Sequence, residues 1–172
     1  LVAEARGVKG FEQNFVTALQ WAQIAESFKE VERKGANGVL SILEFRQLHS
    51  GPINCISSTQ RADRKRYVIT GGQDKLVVLW DMNSGEIVRE MIGHAVSVKS
   101  VAISEVGTAV SGGTDGTLHA WDLETGKCLW FSRRRDGHKE TIAACAITAN
   151  GEWAVSGSWD KLLTVWSMSQ GR

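Results

Sequence analysis

The chain has 172 residues, enough for one ordinary domain, and 20 Lys and Arg against 19 Asp and Glu leave a formal charge of +1. A balance this even supplies no global field that argues for nucleic acid or a membrane surface. No apolar run is long enough to cross a bilayer and no apolar leader resembles a signal peptide, so membrane insertion is not expected.

Residues 1–10 are small and mixed, without a period. From Phe11 to Lys34 the composition predicts an α-helix, because Ala, Glu, Gln, Leu and Lys dominate and Pro is absent. Phe11, Phe15, Ala18, Leu19 and Ala22 form one apolar stripe, and Trp21, Ile24, Phe28 and Val31 a second. That is more than an exposed helix needs. The helix packs on its own protein or docks on a partner, and no sustained heptad argues for a coiled coil. Gly35-Ala36-Asn37-Gly38 breaks the pattern, which makes 1–38 an N-terminal helical segment and linker. Val39 to Phe45 then reads as a strand, and Leu48-His49-Ser50-Gly51-Pro52 as the loop that follows it.

Beyond that loop one stretch occurs three times: V-I-T-G-G-Q-D-K-L-V-V-L-W-D from Val68 to Asp81, A-V-S-G-G-T-D-G-T-L-H-A-W-D from Ala109 to Asp122, and A-V-S-G-S-W-D-K-L-L-T-V-W-S from Ala154 to Ser167. Each copy has a Ser or Thr four residues before its Asp, a Trp six residues after it, and a His upstream. Two short β-branched or aliphatic runs flank a turn-prone set, so each copy reads as a hairpin. The Trp-to-Trp spacings are 41 and 45 residues, within the period of propeller blades.

On these residues the chain resembles the WD40-repeat family from about Val39 to its end. The resemblance implies a mainly β fold: a partial β-propeller of three four-stranded blades, preceded by the N-terminal α-helix. Repeat boundaries fall at about 39–81, 82–122 and 123–172. Innermost strands are expected at Ile53–Ser58, Val98–Ile103 and Ile142–Thr148, and outer ones at Ile87–Met91 and Leu129–Phe131. The loops Asp81–Glu86 and Asp122–Lys127 close on Gly85 and Gly126, suited to left-handed backbone. The family's buried polar network maps onto three sets: His49–Thr70–Asp74–Trp80, His94–Ser111–Asp115–Trp121 and His138–Ser156–Asp160–Trp166. A buried indole needs a partner for its N–H, and such a network stabilises only when every member is satisfied. Histidines that recur once per repeat read as structural rather than as metal ligands or catalytic bases. Three blades fall short of the roughly four to eight of a closed propeller. The expectation is therefore a larger propeller, completed by further repeats, a second copy or another chain, with Val39–Phe45 a candidate to close it against Leu162–Trp166.

No catalytic set, Gly-rich phosphate loop or metal-ligand spacing stands outside the repeats, so no enzyme, cofactor or metal is predicted. The family resemblance implies a non-catalytic scaffold that joins proteins in a larger assembly. The alternative is an RNA-associated propeller in a ribonucleoprotein complex. Its candidates are the basic loops 61–66 (Arg61, Arg64, Lys65, Arg66) and 133–135 (Arg133, Arg134, Arg135), diluted by Asp63 and Asp136. In a propeller these two loop types leave opposite faces, and solvated loops are the plainer reading. Trp159 is the candidate partner anchor, because it holds a turn position where the other copies have Gln73 and Thr114; Lys139 joins these three. The G-S-W-D form recurs in some WD40 scaffolds, including a ribosome-bound family, so a packing role for Trp159 stays open. The W-D-x-R variant is missing: Asn83 and Glu124 stand where Arg would be, and Ser167 replaces the last Asp. Cys128 and Cys145 align with aliphatic residues and read as small core hydrophobes, while Cys55 aligns with Ser100 and Ala144. Unpaired cysteines point to a reducing, intracellular home, cytoplasmic by expectation.

Overall fold

The computed structural model describes residues 48–61, 64–132, 135 and 137–171, all within the second of two units of the chain, Ile42–Arg172. The helix expected at Phe11–Lys34 and the strand expected at Val39–Phe45 lie outside the described residues, as do Asp63, Arg133, Arg134 and Asp136.

Eleven strands are described: β1 (Ile53–Gln60), β2 (Arg66–Gly72), β3 (Val77–Asp81), β4 (Ile87–Met91), β5 (Val98–Ile103), β6 (Thr108–Gly113), β7 (Leu118–Asp122), β8 (Cys128–Phe131), β9 (Ile142–Ile147), β10 (Trp153–Ser158) and β11 (Leu163–Ser167). They pair antiparallel in sequence order into three sheets: β1 to β4, β5 to β8, and β9 to β11. These are three blades, the third with three strands among the described residues. β5 lies beside both β1 and β9, so the first strand of each sheet lines the inner side of the arc.

Each first strand carries one unpaired residue near its start: Asn54, Lys99 and Ala143. A bulge there bends the strand where the chain enters the sheet. In blade 1 the bulge also ties two blades together, because Asn54 Nδ2 donates to Ser97 Oγ at 3.0 Å and to Val98 O at 2.8 Å. The hairpin between the third and fourth strands repeats as well. Gly85 donates to Asp81 O at 2.8 Å with φ 71°, and Gly126 to Asp122 O at 2.8 Å with φ 73°. After β11 the same turn forms on Ser167: Gly171 donates to Ser167 O at 2.8 Å with φ 68°. Losing the Asp has not cost the turn.

Strand alternation sends successive side chains to opposite faces, and both faces are apolar. Ile69, Val77, Leu79 and Met91 of blade 1 pack with Val98, Val101 and Trp121 of blade 2. Val110, Leu118 and Ala120 of blade 2 pack with Ile142, Ala154 and Trp166 of blade 3. A third cluster, Val68, Val78 and Trp80, sits on the other face of blade 1. The first two cores therefore lie between sheets.

Cys55 and Cys145 are half-buried beside these cores, but Cys128 is exposed. The reading of Cys128 as a core hydrophobe is therefore corrected. It lies on β8, the outermost strand of its blade, where Leu129 and Phe131 are exposed too and only Trp130 packs against blade 3. Burial pushes the Cys145 thiol up to about 12 and raises Cys55 as well, so both are held as neutral thiols.

One turn position separates the blades. Lys75, Gly116 and Lys161 each follow the repeat Asp and have φ of 73°, 81° and 70°. A Cβ at Gly116 would collide with His138 O and lie 2.8 Å from Glu140 O, because the loop entering blade 3 crosses there. Gly116→Lys, which copies the other two repeats, should therefore cost about 1–3 kcal/mol in chemical denaturation. Lys161→Gly should be nearly neutral, and equal costs would mean that the loop does not hold this position.

Candidate functional site

The strand register puts all the repeat aspartates at one end of the sheets. Ile53 pairs with Gly72 and Val77 with Met91, so the β2–β3 turn and the loops into β1 and out of β4 gather there. Gln60 pairs with Arg66 and Tyr67 with Asp81, so the β1–β2 turn lies at the other end.

In blade 1 a chain of hydrogen bonds runs from the core to that first end. Trp80 Nε1 donates to Thr70 Oγ1 at 2.9 Å, the Thr70 hydroxyl meets His49 Nε2 at 2.8 Å, and His49 Nδ1 lies 2.9 and 3.0 Å from the two Asp74 oxygens. The carboxylate fixes the tautomer: Nδ1 carries the proton and Nε2 accepts from the hydroxyl. Blade 3 repeats it, with Trp166 to Ser156 at 2.8 Å, Ser156 to His138 at 2.8 Å, and His138 Nδ1 to Asp160 at 2.9 and 3.1 Å. Both carboxylates also accept backbone N–H groups, Ser50 and Leu76 on Asp74, Lys139 and Leu162 on Asp160. Desolvation pushes each carboxyl upward. For Asp74 the hydrogen bonds from His49 and Leu76 outweigh it and hold the group below its usual range. For Asp160 the bonds from Lys139, Leu162 and His138 hold it at about 2.

Blade 2 departs from this pattern. Trp121 Nε1 and His94 Nε2 each lie 2.7 Å from Ser111 Oγ, but His94 Nδ1 is buried with no partner. The expected bond from His94 to Asp115 is absent. Asp115 Oδ1 instead accepts from the Thr117 hydroxyl at 2.7 Å and its N–H at 3.1 Å. Leu76 and Leu162 occupy the matching positions in the other blades and have no hydroxyl to compete. An orphaned ring nitrogen in the interior is costly.

His119, which the repeat pattern left unremarked, is packed directly against this site. Its ring centroid is 3.9 Å from that of His94, 5.5 Å from that of Trp121 and 5.4 Å from that of Phe131. The signal in the sequence was its position, since Val78 and Thr164 stand there in the other copies. Desolvation, then the neighbouring His119, drives His94 down to about 3 against the pull of Asp115 and Ser111. Desolvation drives His119 to about 4, again opposed by Asp115. Both rings are therefore neutral in the folded protein.

The candidate contact residues share that end of the sheets. The N–H groups of Gln73, Thr114 and Trp159 donate to Pro52 O, Ser97 O and Thr141 O, at 2.8, 3.0 and 3.0 Å. One turn slot is thus held three times, with its side chain at the surface. Gln73 and Lys139 are exposed, Thr114 is half-buried, and Trp159 is 65% exposed. Arg135 belongs to this end and Arg61, Arg64, Lys65 and Arg66 to the other, so the described basic residues of the two loops do not join into one stripe. Among the described residues, no group of three or more His, Cys, Asp or Glu is placed to hold a metal ion, and no helix is long and apolar enough to cross a membrane.

The repeat match settles the lineage. The family model described as "WD domain, G-beta repeat" matches residues 41–81, 85–122 and 127–167. The chain belongs to the WD40-repeat family. It is 26% identical over 162 residues to THO complex subunit 6 of Arabidopsis thaliana, covering 89% of this chain and 44% of that protein. It is 32% identical over 116 residues to small ribosomal subunit protein RACK1 of Neurospora crassa, covering 67% and 35%. To p21-activated protein kinase-interacting protein 1-like of Danio rerio it is 25% identical over 124 residues, covering 72% and 32%. The chain thus spans less than half the length of each of these WD40 relatives.

Two outcomes follow from the unequal blades. Asp160→Ala strands a buried His138 Nδ1–H and should cost about 1–3 kcal/mol, whereas Asp115→Ala breaks no histidine bond and should cost clearly less in the same thermal melts. Equal losses would mean that His94 does use Asp115.

The second outcome concerns acid. A histidine held neutral when folded but protonated when unfolded contributes fully above its ordinary value of 6.5, and loses that contribution as pH falls towards its folded value. Between pH 6.5 and 4, His94 and His119 should each remove about 1.4 kcal/mol per pH unit. The depressed aspartates act only below 3.8. His119→Phe should flatten the fall in melting temperature between pH 7 and 5, and an unchanged slope would contradict the burial of a neutral ring.

Proposed function

We propose that the protein is a non-catalytic scaffold whose blades form part of a larger propeller and whose turn end, centred on Trp159, binds a protein partner. The observation that carries this reading is a contrast between equivalent residues. Val77 and Leu79 of blade 1 are 0% and 2% exposed, and Leu118 and Ala120 of blade 2 are both 0% exposed. Their counterparts in blade 3, Leu163 and Val165, are 71% and 52% exposed. Trp153 on the same face is half exposed. A sheet built to bury both faces leaves one bare, and such a face is where another sheet fits.

That two relatives are named as subunits of a complex and of the ribosome supports an assembly role. The wider family is generally one of interaction scaffolds. At the turn end, Trp159 offers a rigid aromatic ring flanked by Lys139, with Gln73 and Thr114 in the equivalent slots. Large aromatic rings ringed by polar groups are the usual anchors of protein interfaces. The RNA-associated alternative is less well supported, because its basic loops leave opposite ends of the sheets.

Trp159→Ala should weaken binding of the partner purified with the full protein by about 1–2 kcal/mol, with an unchanged melting temperature, measured by calorimetric titration. Unfolding of the variant with normal binding of its folded fraction would make Trp159 a packing residue and remove it from the surface.

A further inference from the structure

At the end of the sheets away from the aspartates, blades 1 and 2 leave a cleft of about 250 Å³ between them. Burial sorts its lining. Leu79 and Leu123 are buried and Tyr67 and Val88 half-buried, which makes an apolar floor of three aliphatic side chains and one phenol ring. Arg61, Lys65 and Arg89 stand at the rim, with Glu124 as the one carboxylate among the lining residues. A volume below the roughly 300–1,000 Å³ of small-molecule sites suits one side chain of an extended peptide rather than a metabolite.

The bonds that hold the Arg89 guanidinium run to backbone carbonyls, which do not neutralise its charge. Arg89 Nε donates to Glu124 O at 3.1 Å and Nη1 to Val88 O at 2.7 Å, both backbone carbonyls. Arg61 is anchored through its N–H to Lys65 O at 2.9 Å, and its guanidinium reaches over blade 2, where a Cβ on Gly107 would lie 3.5 Å from Nη2. Both arginines therefore start in blade 1 and cross to blade 2. A planar guanidinium held as that of Arg89 is prepared to bind a carboxylate through two parallel hydrogen bonds, with the Arg61 guanidinium nearby over blade 2. An apolar floor beneath cationic side chains asks for a ligand that is apolar and anionic within a few ångströms. Single-stranded nucleic acid is less suited, because it stacks successive bases on exposed aromatic faces, and Tyr67, the one ring among the lining residues, is half-buried.

We infer that the seam between blades 1 and 2 is a docking site for an acidic segment of a partner protein. One aliphatic side chain of that segment sits on Leu79, Val88 and Leu123, and an adjacent carboxylate is held by Arg61 and Arg89. The site stands independently of the Trp159 surface, which lies at the other end of the sheets.

The test is fluorescence anisotropy on the full chain in its native assembly, with a labelled synthetic Glu-Glu-Leu-Glu-Glu peptide as probe. Arg61→Glu combined with Arg89→Glu should weaken binding by about tenfold or more, and so should replacing the peptide's Leu by Ser. Lys161→Glu, in the exposed turn at the opposite end, should leave binding unchanged. In the unmutated protein, the peptide should shift the methyl resonances of Leu79, Val88 and Leu123, which keeps the test valid if the double variant fails to fold. Methyl resonances that stay in place overturn the proposal. So does a uridine oligomer that binds and responds to the two arginines while the peptide does not, which would make the seam a nucleic-acid contact.

Discussion

Every sheet in this protein is apolar on both faces, and that constraint organises the rest. A three- or four-stranded sheet with Val, Ile, Leu and Trp on alternate sides cannot stand in water alone. Where a second sheet covers a face the core lies in the seam, with Ile69 and Trp121 in one and Val110 and Trp166 in the next. Stability is therefore shared between neighbours, as in other stacked-repeat architectures. The same constraint leaves Leu163 and Val165 as apolar side chains of blade 3 that stay exposed, unlike their counterparts in blades 1 and 2.

The polar chains from Trp to Asp solve a problem that the seams create. Burying an indole brings its N–H inside, and a hydroxyl, an imidazole and a carboxylate relay that polarity back to the surface. Blades 1 and 3 complete the relay, and their carboxylates also clamp the loop entering the blade through Ser50 and Lys139 N–H. Blade 2 stops one bond short. There the packing is aromatic instead, with His94 on His119 and His119 between Trp121 and Phe131. Burial holds both of these imidazoles below their ordinary value, so the middle blade should lose stability as pH falls below 6.5.

The repeat pattern made most of the fold legible. The expected strands Val98–Ile103 and Ile87–Met91 match the structure to the residue, and the other expected strands among the described residues differ by one or two positions at their ends. The turns closing on Gly85 and Gly126 were readable because only a few residues accept positive φ. Departures came from residues that break the repeat rather than follow it. Thr117 captures Asp115 through a hydroxyl that alignment on the aspartate does not reveal, and His119 takes a place where its neighbours in register are Val and Thr. Cys128 aligned with an aliphatic residue, yet alignment says nothing about whether an outer strand is covered. The cleft of Arg61 and Arg89 was half legible: the basic loop was visible, but its pairing with a residue from β4 depends on how two blades meet.

Whether the blades need a further neighbour is decided by the native mass and stability of the 172-residue chain in isolation. Light scattering with a parallel thermal melt is the direct measurement. The exposed face of blade 3 predicts a species heavier than the 18.8 kDa monomer, or a chain that binds a hydrophobic dye and melts without a sharp transition. A dye-silent monomer of 18.8 kDa with a sharp, cooperative melt would contradict it.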